Sequence, residues 1–213
     1  MSREDLSFYD ALVPHDESMH MVDFLCGFLP LLGINNYSNK MEFPFDEVKY
    51  KYAQEFVLKL PKRKGLIALN VDASNHRRTL YKEQIVKLAN SLKSYTIVIL
   101  SLPTRQAEIS EIISNENLAN CILSYETKTI FDATELMHSC DILISPDTSF
   151  IHIASAIDLP TIGIYNKNKI APWGPRSSIK YLVCSNLDDE VDEFIDGFSI
   201  DEVVNCVNDF FNK

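Results

Sequence analysis

Four polar residues, Asp147, Thr148, Ser149 and His152, lie close together directly after an apolar run. The first three are all good helix N-cap residues, and the apolar residues that follow suit a helix packed on a sheet. The N–H groups and partial positive charge at such a helix start favour binding of an anion. His152 lies about one turn beyond Thr148, so both side chains can face one cleft, although a histidine in an apolar helix can also be a core residue.

The residues before this cluster predict a strand that ends where the polar side chains begin. Ile142, Leu143 and Ile144 form the short apolar run that a central parallel strand prefers. Pro146 cannot donate to a strand ladder, so it directs the chain out at the carboxyl end of the strand. Ligands of open α/β sheets bind at this end, which places the polar cluster in a ligand crevice.

Strand-like and helix-like patterns alternate through most of the chain. Strands are predicted at Leu66 to Asn70, Thr96 to Ser101, Cys121 to Tyr125, Ile142 to Ser145, Thr161 to Tyr165 and Tyr181 to Cys184. Helices are indicated by apolar stripes at Leu80 to Leu92 and Arg105 to Ser114, and by capping boxes at Thr129 to Asp132 and Ser199 to Glu202, the second opening Ile200 to Phe211. The alternation predicts an α/β, Rossmann-like, doubly wound parallel sheet of about six strands.

The composition is that of a globular protein and argues against several function classes. Hydrophobic residues make up 46% of 213 positions, charged residues 23%, and the formal net charge is −10. An acidic surface disfavours a phosphate backbone, so we expect no nucleic acid partner. The basic stretch Lys59 to Lys64 is short and suits a solvated segment. Met19 to Ile34 is apolar but too short to span a bilayer, and the first fourteen residues lack the apolar region of a signal peptide.

Neither the cysteines nor the histidines have the spacing of a metal site. The five cysteines lie far apart, which predicts buried thiols in a reducing cytoplasm. The acidic run Asp188 to Glu193 lacks the glycine and ligand order of a calcium loop, so we expect a solvated loop there. We therefore expect no metal and no bound cofactor. No Gly-x-Gly-x-x-Gly follows a predicted strand, which argues against a dehydrogenase.

The order of motifs in the second half of the chain resembles one known family. Pro-Asp-Thr-x-x-x-His at Pro146 to His152, a strand at Leu159 to Tyr165 and Trp-Gly-Pro at Trp173 to Pro175 follow one another. This order is similar to the C-terminal domain of the family 9 glycosyltransferases, the bacterial heptosyltransferases that build lipopolysaccharide core. The resemblance runs from about Gly65 to the C-terminus, with a weaker echo in Met19 to Ile34.

The resemblance implies a domain organisation. Enzymes of this family have the GT-B fold, in which two Rossmann-like domains of about 150 residues each face one another across a cleft. Residues 65–213 would form the C-terminal, nucleotide-sugar-binding domain. Residues 1–64 would form a helical extension or linker, a remnant of the preceding domain, with helix candidates at Glu17 to Leu32 and Asp46 to Leu60.

The resemblance also assigns roles at the polar turn. Thr148 would donate a hydrogen bond to a phosphate, and His152 would face the donor. Asp147 would cap the helix or accept a hydrogen bond from a sugar hydroxyl, since a carboxylate repels a diphosphate. Ser149 stands where the family usually has glycine, which permits close backbone approach to a phosphate, and the serine hydroxyl could supply a replacement hydrogen bond.

Further donor-binding residues are implied in neighbouring loops. The loop after the first strand offers Arg77 or Arg78 for the phosphate and Ser74 as a hydroxyl donor, the alternative being two solvated arginines. Glu108 resembles the family's ribose-contacting acid, with an exposed helix glutamate as the alternative. Trp173 would wall the base or sugar pocket or would simply pack.

Two functions from different classes remain open. In the first, the chain is the donor-binding half of an inverting glycosyltransferase, with ADP-heptose as the donor favoured by resemblance. The binding site for a lipopolysaccharide-type acceptor and the general base would then come from another domain or partner chain, and a wall of the cleft left uncovered could also drive homo-oligomer formation. In the second, it is a non-catalytic nucleotide-sugar-binding or scaffold module. For both, the expected location is the cytoplasm, including the inner face of the bacterial inner membrane.

Overall fold

The computed structural model describes residues 10–14, 16, 18–166, 169–185 and 195–213, which form one sheet flanked by helices. All neighbouring strands of the sheet pair in parallel, in the order β3-β2-β1-β4-β5-β6. The strands are β1 Leu66–Asn70, β2 Thr96–Leu100, β3 Cys121–Leu123, β4 Ile142–Pro146, β5 Thr161–Tyr165 and β6 Lys180–Cys184. This is the Rossmann strand order, and the predicted α/β class and strand count are confirmed.

The helices of the described residues follow the strands along the chain. They are α1 Met21–Cys26, α2 Glu47–Val57, α3 Lys82–Ser91, α4 Gln106–Asn115, α5 Ile130–Met137, α6 Ser149–Ala156, α7 Ile170–Trp173 and α8 Ile200–Phe211. Single 3₁₀ turns lie at Pro30–Leu32, His76–Arg78 and Pro103–Arg105. The predicted helix starts after Thr129 and Ser199 are confirmed, since both residues cap the following helix.

The two faces of the sheet carry separate apolar clusters because side chains alternate along each strand. Ile67 and Leu69 of β1 point to the cluster packed under α3 and α8. Ala68, between them, belongs to the cluster on the other face. That second cluster also holds Leu136 of α5 and the fully buried Ala53 of α2. The two clusters together fix the strands whose carboxyl ends build the cavity described below.

The N-terminal helix prediction at Glu17 to Leu32 is too long. Glu17 itself lies outside the described residues, and α1 ends at Cys26. The backbone N–H groups of Phe28 and Leu29 bond carbonyls three residues earlier, so the chain leaves the α-helix at Gly27 and continues into a 3₁₀ turn at Pro30–Leu32. That turn ends at Gly33, whose φ of +76° is readily available only to glycine.

The second predicted N-terminal helix forms and packs on α5. The Asp46 carboxylate accepts hydrogen bonds from the backbone N–H groups of Val48 and Lys49, each 3.1 Å, which starts α2. Gln54 donates to the Ser139 hydroxyl at 3.1 Å, and Lys49 forms an ion pair with Asp132 of α5. Helix α2 is therefore part of the layer that covers one face of the sheet.

The predicted thiols are free but not all buried. Cys121 and Cys140 are buried, whereas Cys26, Cys184 and Cys206 are half-buried. Burial raises the pKa of Cys121 to about 12, so its thiol is protonated at neutral pH. The acidic run at 188–193 lies outside the described residues. None of the helices in the described ranges has the length and apolar content needed to cross a membrane.

Candidate functional site

A cavity of about 930 Å³ lies at the carboxyl ends of the strands, lined by the loops that follow β1 to β5. The order of the strands reverses between β1 and β4, so their loops separate there and leave a crevice. Its volume lies within the range that is usual for binding sites of cofactors and small-molecule substrates. Of the predicted residues, it is lined by Ser74, Arg78, Asp147, Thr148, Ser149, His152 and Trp173, but not by Arg77 or Glu108.

Thr148 caps helix α6 at the middle of the cavity. Its hydroxyl oxygen accepts a hydrogen bond from the backbone N–H of Phe150 at 3.3 Å. The prediction that Asp147 caps the helix is therefore wrong, because its carboxylate is bonded to an arginine instead. Ser149 is the first residue of the helix and is exposed to the cavity. The positive end of the α6 dipole thus faces the cavity.

Asn70 holds the polar turn in place and was missed by the sequence reasoning. Its side-chain NH₂ lies 3.0 Å from the Asp72 carbonyl, 3.0 Å from the Ser145 hydroxyl and 3.1 Å from the Thr148 hydroxyl. Its Oδ1 accepts from the Asp72 N–H at 3.2 Å. Only 2% of Asn70 is exposed, so these bonds satisfy a buried amide and rigidify the junction of β1 and β4. The sequence signal was an amide residue that closes an otherwise apolar strand.

Arg78 and Asp147 form an ion pair across the crevice. The Nη1 group of Arg78 donates to Asp147 Oδ2 at 3.0 Å and to the Asp147 carbonyl at 2.9 Å. The guanidinium is thereby oriented beside the start of α6. The Arg77 side chain lies outside the cavity lining, while its backbone carbonyl accepts from the Ile195 N–H at 3.3 Å. Between the two predicted arginines, the structure places only Arg78 at the cavity.

His152 and Trp173 meet at one end of the cavity. Their ring centroids are 5.8 Å apart with planes at 64°. Burial lowers the pKa of His152, an effect that the Asp147 carboxylate partly opposes, so the imidazole is neutral at neutral pH. The Trp173 carbonyl accepts from the Tyr165 hydroxyl at 2.9 Å. A neutral imidazole and an aromatic face together suit a polar but uncharged group of a ligand.

Glu108 does not line the cavity and is connected to it by contacts through Arg105 and Asp72. Its carboxylate accepts from Arg105 at 3.0 and 2.9 Å, and this interaction lowers the pKa of Glu108. Arg105 also donates to Asp72 at 2.5 Å. Asp72, which lines the cavity and was not predicted, also accepts from the Leu102 N–H at 2.6 Å. The Arg105–Asp72 ion pair and the Leu102–Asp72 bond join the loops after β1 and β2.

The end of the cavity opposite Trp173 combines an apolar wall with the polar residues Ser101, Thr127 and Thr129. Its wall there is formed by side chains from β2, the following turn and α5: Leu100, Leu102, Pro103, Ile130 and Ala133. Two lysines also line the cavity, Lys128 near this end and Lys169 near Trp173. Lys128 has a 76% exposed side chain and lies 4.0 Å from Glu126, so it sits at the rim. Sequence reasoning missed both lysines because isolated basic residues in loops have no pattern.

Within the described residues, no group of three or more His, Cys, Asp or Glu side chains is arranged to hold a metal ion. The two carboxylates that line the cavity, Asp72 and Asp147, are each committed to an arginine. The positive charge available to a bound anion therefore comes from helix α6 and from basic side chains.

Comparisons with known proteins point to one family. The model of glycosyltransferase family 9 (heptosyltransferase) matches residues 2–193. A lipopolysaccharide core heptosyltransferase, OpsX of Haemophilus influenzae, is 25% identical over 175 residues, which cover 76% of this chain and 48% of that protein. The family match also covers most of residues 1–64, where the motif-based resemblance was weak.

Solved structures show the same fold at low sequence identity. A family 9 glycosyltransferase from Veillonella parvula superposes with a TM-score of 0.77 at 16% identity, over 95% of this chain and 62% of that one. The E. coli heptosyltransferase WaaC with ADP gives a TM-score of 0.63 at 15% identity, over 95% and 60%. The E. coli ADP-heptose lps heptosyltransferase II gives 0.64 at 16% identity, over 80% and 53%. The chain thus spans about half to three fifths of the lengths of these relatives.

Proposed function

The chain belongs to glycosyltransferase family 9, the heptosyltransferases, and on this premise we propose that its cavity binds the nucleotide-sugar donor of a sugar transfer. The observation that carries the proposal is the start of α6, where Thr148 caps the helix and Arg78 lies beside it. Backbone N–H groups, a helix dipole and a guanidinium together form a site for a diphosphate.

The order of the loops supports one orientation of the donor. The apolar wall near Leu102 and Ile130 suits a nucleobase, which needs flat, water-excluding contacts. The diphosphate would lie over β1 and β4, next to Arg78 and Ser149. The sugar would then lie against His152 and Trp173, where an aromatic face and a neutral imidazole can contact its hydroxyl-bearing ring.

The same groups explain how bond cleavage would be assisted. In transfer from a nucleotide-sugar the diphosphate leaves with increasing negative charge, and fixed positive groups at that position lower the barrier. Here those groups would be the start of α6 and the Arg78 guanidinium. We propose that no divalent metal is needed for donor binding.

The donor class and the acceptor are proposals drawn from relatives. The solved relatives include structures with ADP and with an ADP-2-deoxy-2-fluoro heptose, and the curated relative is a lipopolysaccharide core heptosyltransferase. We propose ADP-heptose as donor and a lipopolysaccharide-type acceptor. The acceptor-binding surface would come from another domain or chain. The base that deprotonates the acceptor would come from there as well, because Asp72 and Asp147 are engaged by arginines.

The ion-paired state of these carboxylates also favours a second candidate. A module that binds a nucleotide-sugar without transferring it needs no base, and the described residues would suffice for that task. The two candidates differ in one result. A partner that supplies the acceptor-binding domain would give sugar transfer in the first case and none in the second.

Isothermal titration calorimetry tests the donor site directly. The chain would be titrated with ADP-heptose, ADP, UDP and adenosine, each with EDTA and again with magnesium. We expect the affinity of ADP-heptose, and likewise that of ADP, to be the same in EDTA as with magnesium. Adenosine should bind at least about tenfold more weakly than ADP because it lacks the phosphates. Equal binding of adenosine and ADP would overturn the diphosphate site. Binding that requires magnesium would overturn the metal-free proposal.

A further inference from the structure

The loop of residues 170–176, hereafter the Trp173 loop, is held by a segment that lies about 150 positions earlier in the chain. His20 Nε2 lies 3.0 Å from the Gly174 carbonyl oxygen. Asp23, in the first turn of α1, accepts from Arg176 Nη1 at 2.7 Å. These two contacts connect α1 to the loop that closes the Trp173 end of the cavity.

The local bonding of His20 fixes its tautomer. The Val22 backbone N–H donates to His20 Nδ1 at 3.2 Å, and in this way His20 caps α1. Nδ1 must then be unprotonated, so Nε2 carries the hydrogen and donates it to the Gly174 carbonyl. Burial lowers the pKa of His20, which keeps this neutral form dominant at neutral pH.

The Trp173 loop has tight backbone anchors on its other side. The Gly174 N–H donates to the Ile170 carbonyl at 2.7 Å, and a Cβ at Gly174 would lie only 2.7 Å from that oxygen. The Arg176 N–H donates to the Ser155 hydroxyl of α6 at 2.9 Å. The loop is therefore fixed toward α6 and within itself.

On the side of α1 the loop borders a cleft. A second cavity of about 410 Å³ separates parts of the loop from β6 and is lined by His20, Arg176, Lys180 and Leu182. The His20 hydrogen bond and the Asp23 ion pair link α1 to the loop beside this cavity.

We propose that His20 and Asp23 are positioning residues for Trp173, so that α1 sets the shape of the sugar end of the cavity. The proposal rests on the proposed donor site for its ligand consequence. Its structural part, that these two residues hold Trp173 in place, can be tested without any ligand.

The chain has a single tryptophan, so its fluorescence reports on Trp173 alone. Asp23→Ala removes the ion pair with Arg176 together with the hydrogen bond from Asn39, and His20→Phe removes the bond to Gly174 together with the cap on Val22. The double variant removes both links to the loop. We expect each variant to raise the acrylamide quenching constant of the tryptophan and to shift its emission to longer wavelength. ADP-heptose affinity should fall about two- to fivefold in Asp23→Ala and about tenfold in the double variant. ADP affinity should not change, because ADP does not reach this end.

Asp209→Ala is the matched control. Asp209 is also a partly exposed helix aspartate, paired with Lys213 at 2.8 Å, and it does not line the cavity. We expect wild-type quenching and affinity in this variant. Exchanging the pair, Asp23→Arg with Arg176→Asp, should restore wild-type quenching if the ion pair is what matters, and circular dichroism would establish that each variant is folded.

The outcomes separate the two proposals. Wild-type quenching in the folded double variant would overturn the positioning role of α1. Increased quenching with an equal loss of ADP and ADP-heptose affinity would also overturn it, because the effect would not be confined to the sugar end. If the wild-type chain binds neither ligand, the donor site is wrong, and the quenching measurement still decides whether α1 holds Trp173.

Discussion

Asp147 Oδ2 and Arg78 Nη1 lie 3.0 Å apart, at the point where the loops after β1 and β4 meet. This pair explains how a carboxylate can sit beside a diphosphate site. Its negative charge is compensated by the guanidinium, and the guanidinium is held in a fixed direction by the carboxylate and the Asp147 carbonyl. Arg78 would therefore be oriented before the ligand arrives, which lowers the entropy cost of binding.

Arg78→Ala should weaken ADP binding about ten- to a hundredfold. A charge-assisted hydrogen bond to phosphate contributes about 1.5 to 3 kcal/mol, and the variant also removes the guanidinium that faces the Asp147 carboxylate next to the diphosphate. Calorimetric titration with ADP measures the effect. Arg77→Ala is the matched control, since its side chain lies outside the cavity lining, and it should bind ADP like the wild type. Similar losses in both variants would show that the arginines act through overall charge.

Stability should fall as the pH drops below about 6.5. Burial lowers the pKa values of His20 and His152 from 6.5 in the folded state, so the unfolded chain takes up protons first. The corresponding stability is fully present above pH 6.5 and is lost as the pH falls toward the folded-state pKa values. Asp23 and Asp132 also have lowered pKa values, but they titrate below 3.8 and so leave this window to the histidines.

Urea unfolding at about pH 7.5 and about pH 5.5 measures this loss. His152→Asn removes one of the two groups and should reduce the difference between the two pH values. A free energy of unfolding that is equal at both pH values would contradict the burial of neutral imidazoles.

Gly163→Ala should destabilise the fold and disturb the cavity together. A Cβ at Gly163 would lie 2.4 Å from the Tyr165 ring, which is fully buried and whose hydroxyl bonds the Trp173 carbonyl. Overpacking of this kind costs about 1–3 kcal/mol. Urea unfolding measures the cost, and Tyr165→Phe, which removes only the hydroxyl, should lose about 1 kcal/mol. A neutral Gly163→Ala variant would show that Tyr165 can move aside freely.

The isolated chain should bind donor but fail to transfer sugar. Transfer requires an acceptor hydroxyl held in line with the anomeric carbon and a base to accept its proton. Asp72 and Asp147 are bonded to Arg105 and Arg78, and His152 lies where the donor sugar would be. An assay with ADP-heptose and truncated lipopolysaccharide would be run on the chain alone and with a candidate acceptor-side domain. Robust turnover by the chain alone would require a base within it.

The strands were predicted from sequence because their signal is local. Runs such as Ile142 to Ile144 and Thr161 to Tyr165 are apolar, short and bounded by turn residues. Two of the observed strands match their predicted ranges, and the other four differ by one or two residues at one end. Helix α1 was overestimated because the apolar run continues past Gly27, where the helix ends, into the 3₁₀ turn at Pro30–Leu32. The Thr129 and Ser199 caps were predictable because each forms bonds with residues only three positions away.

Spacing alone predicted the site within one short segment, and the family resemblance added Ser74, Trp173 and one of two arginines from other loops. The turn at Thr148 and the neighbouring His152 follow from spacing within a single helix. Other contacts join residues that are distant in sequence, and no local pattern reveals them. Examples are the Asn70–Thr148 bond, the Arg105–Asp72 pair and the His20–Gly174 contact. The choice of Arg78 over Arg77 likewise depends on the direction of one 3₁₀ turn.

A crystal structure of the chain with ADP, grown in EDTA, tests the central claim most directly. The account predicts that the diphosphate lies at the start of α6, with one oxygen within hydrogen-bonding distance of the Ser149 backbone N–H and another near Arg78, and with adenine toward Leu102 and Ile130. A diphosphate bound away from α6, or a nucleotide in the reverse orientation with adenine against Trp173, would contradict it.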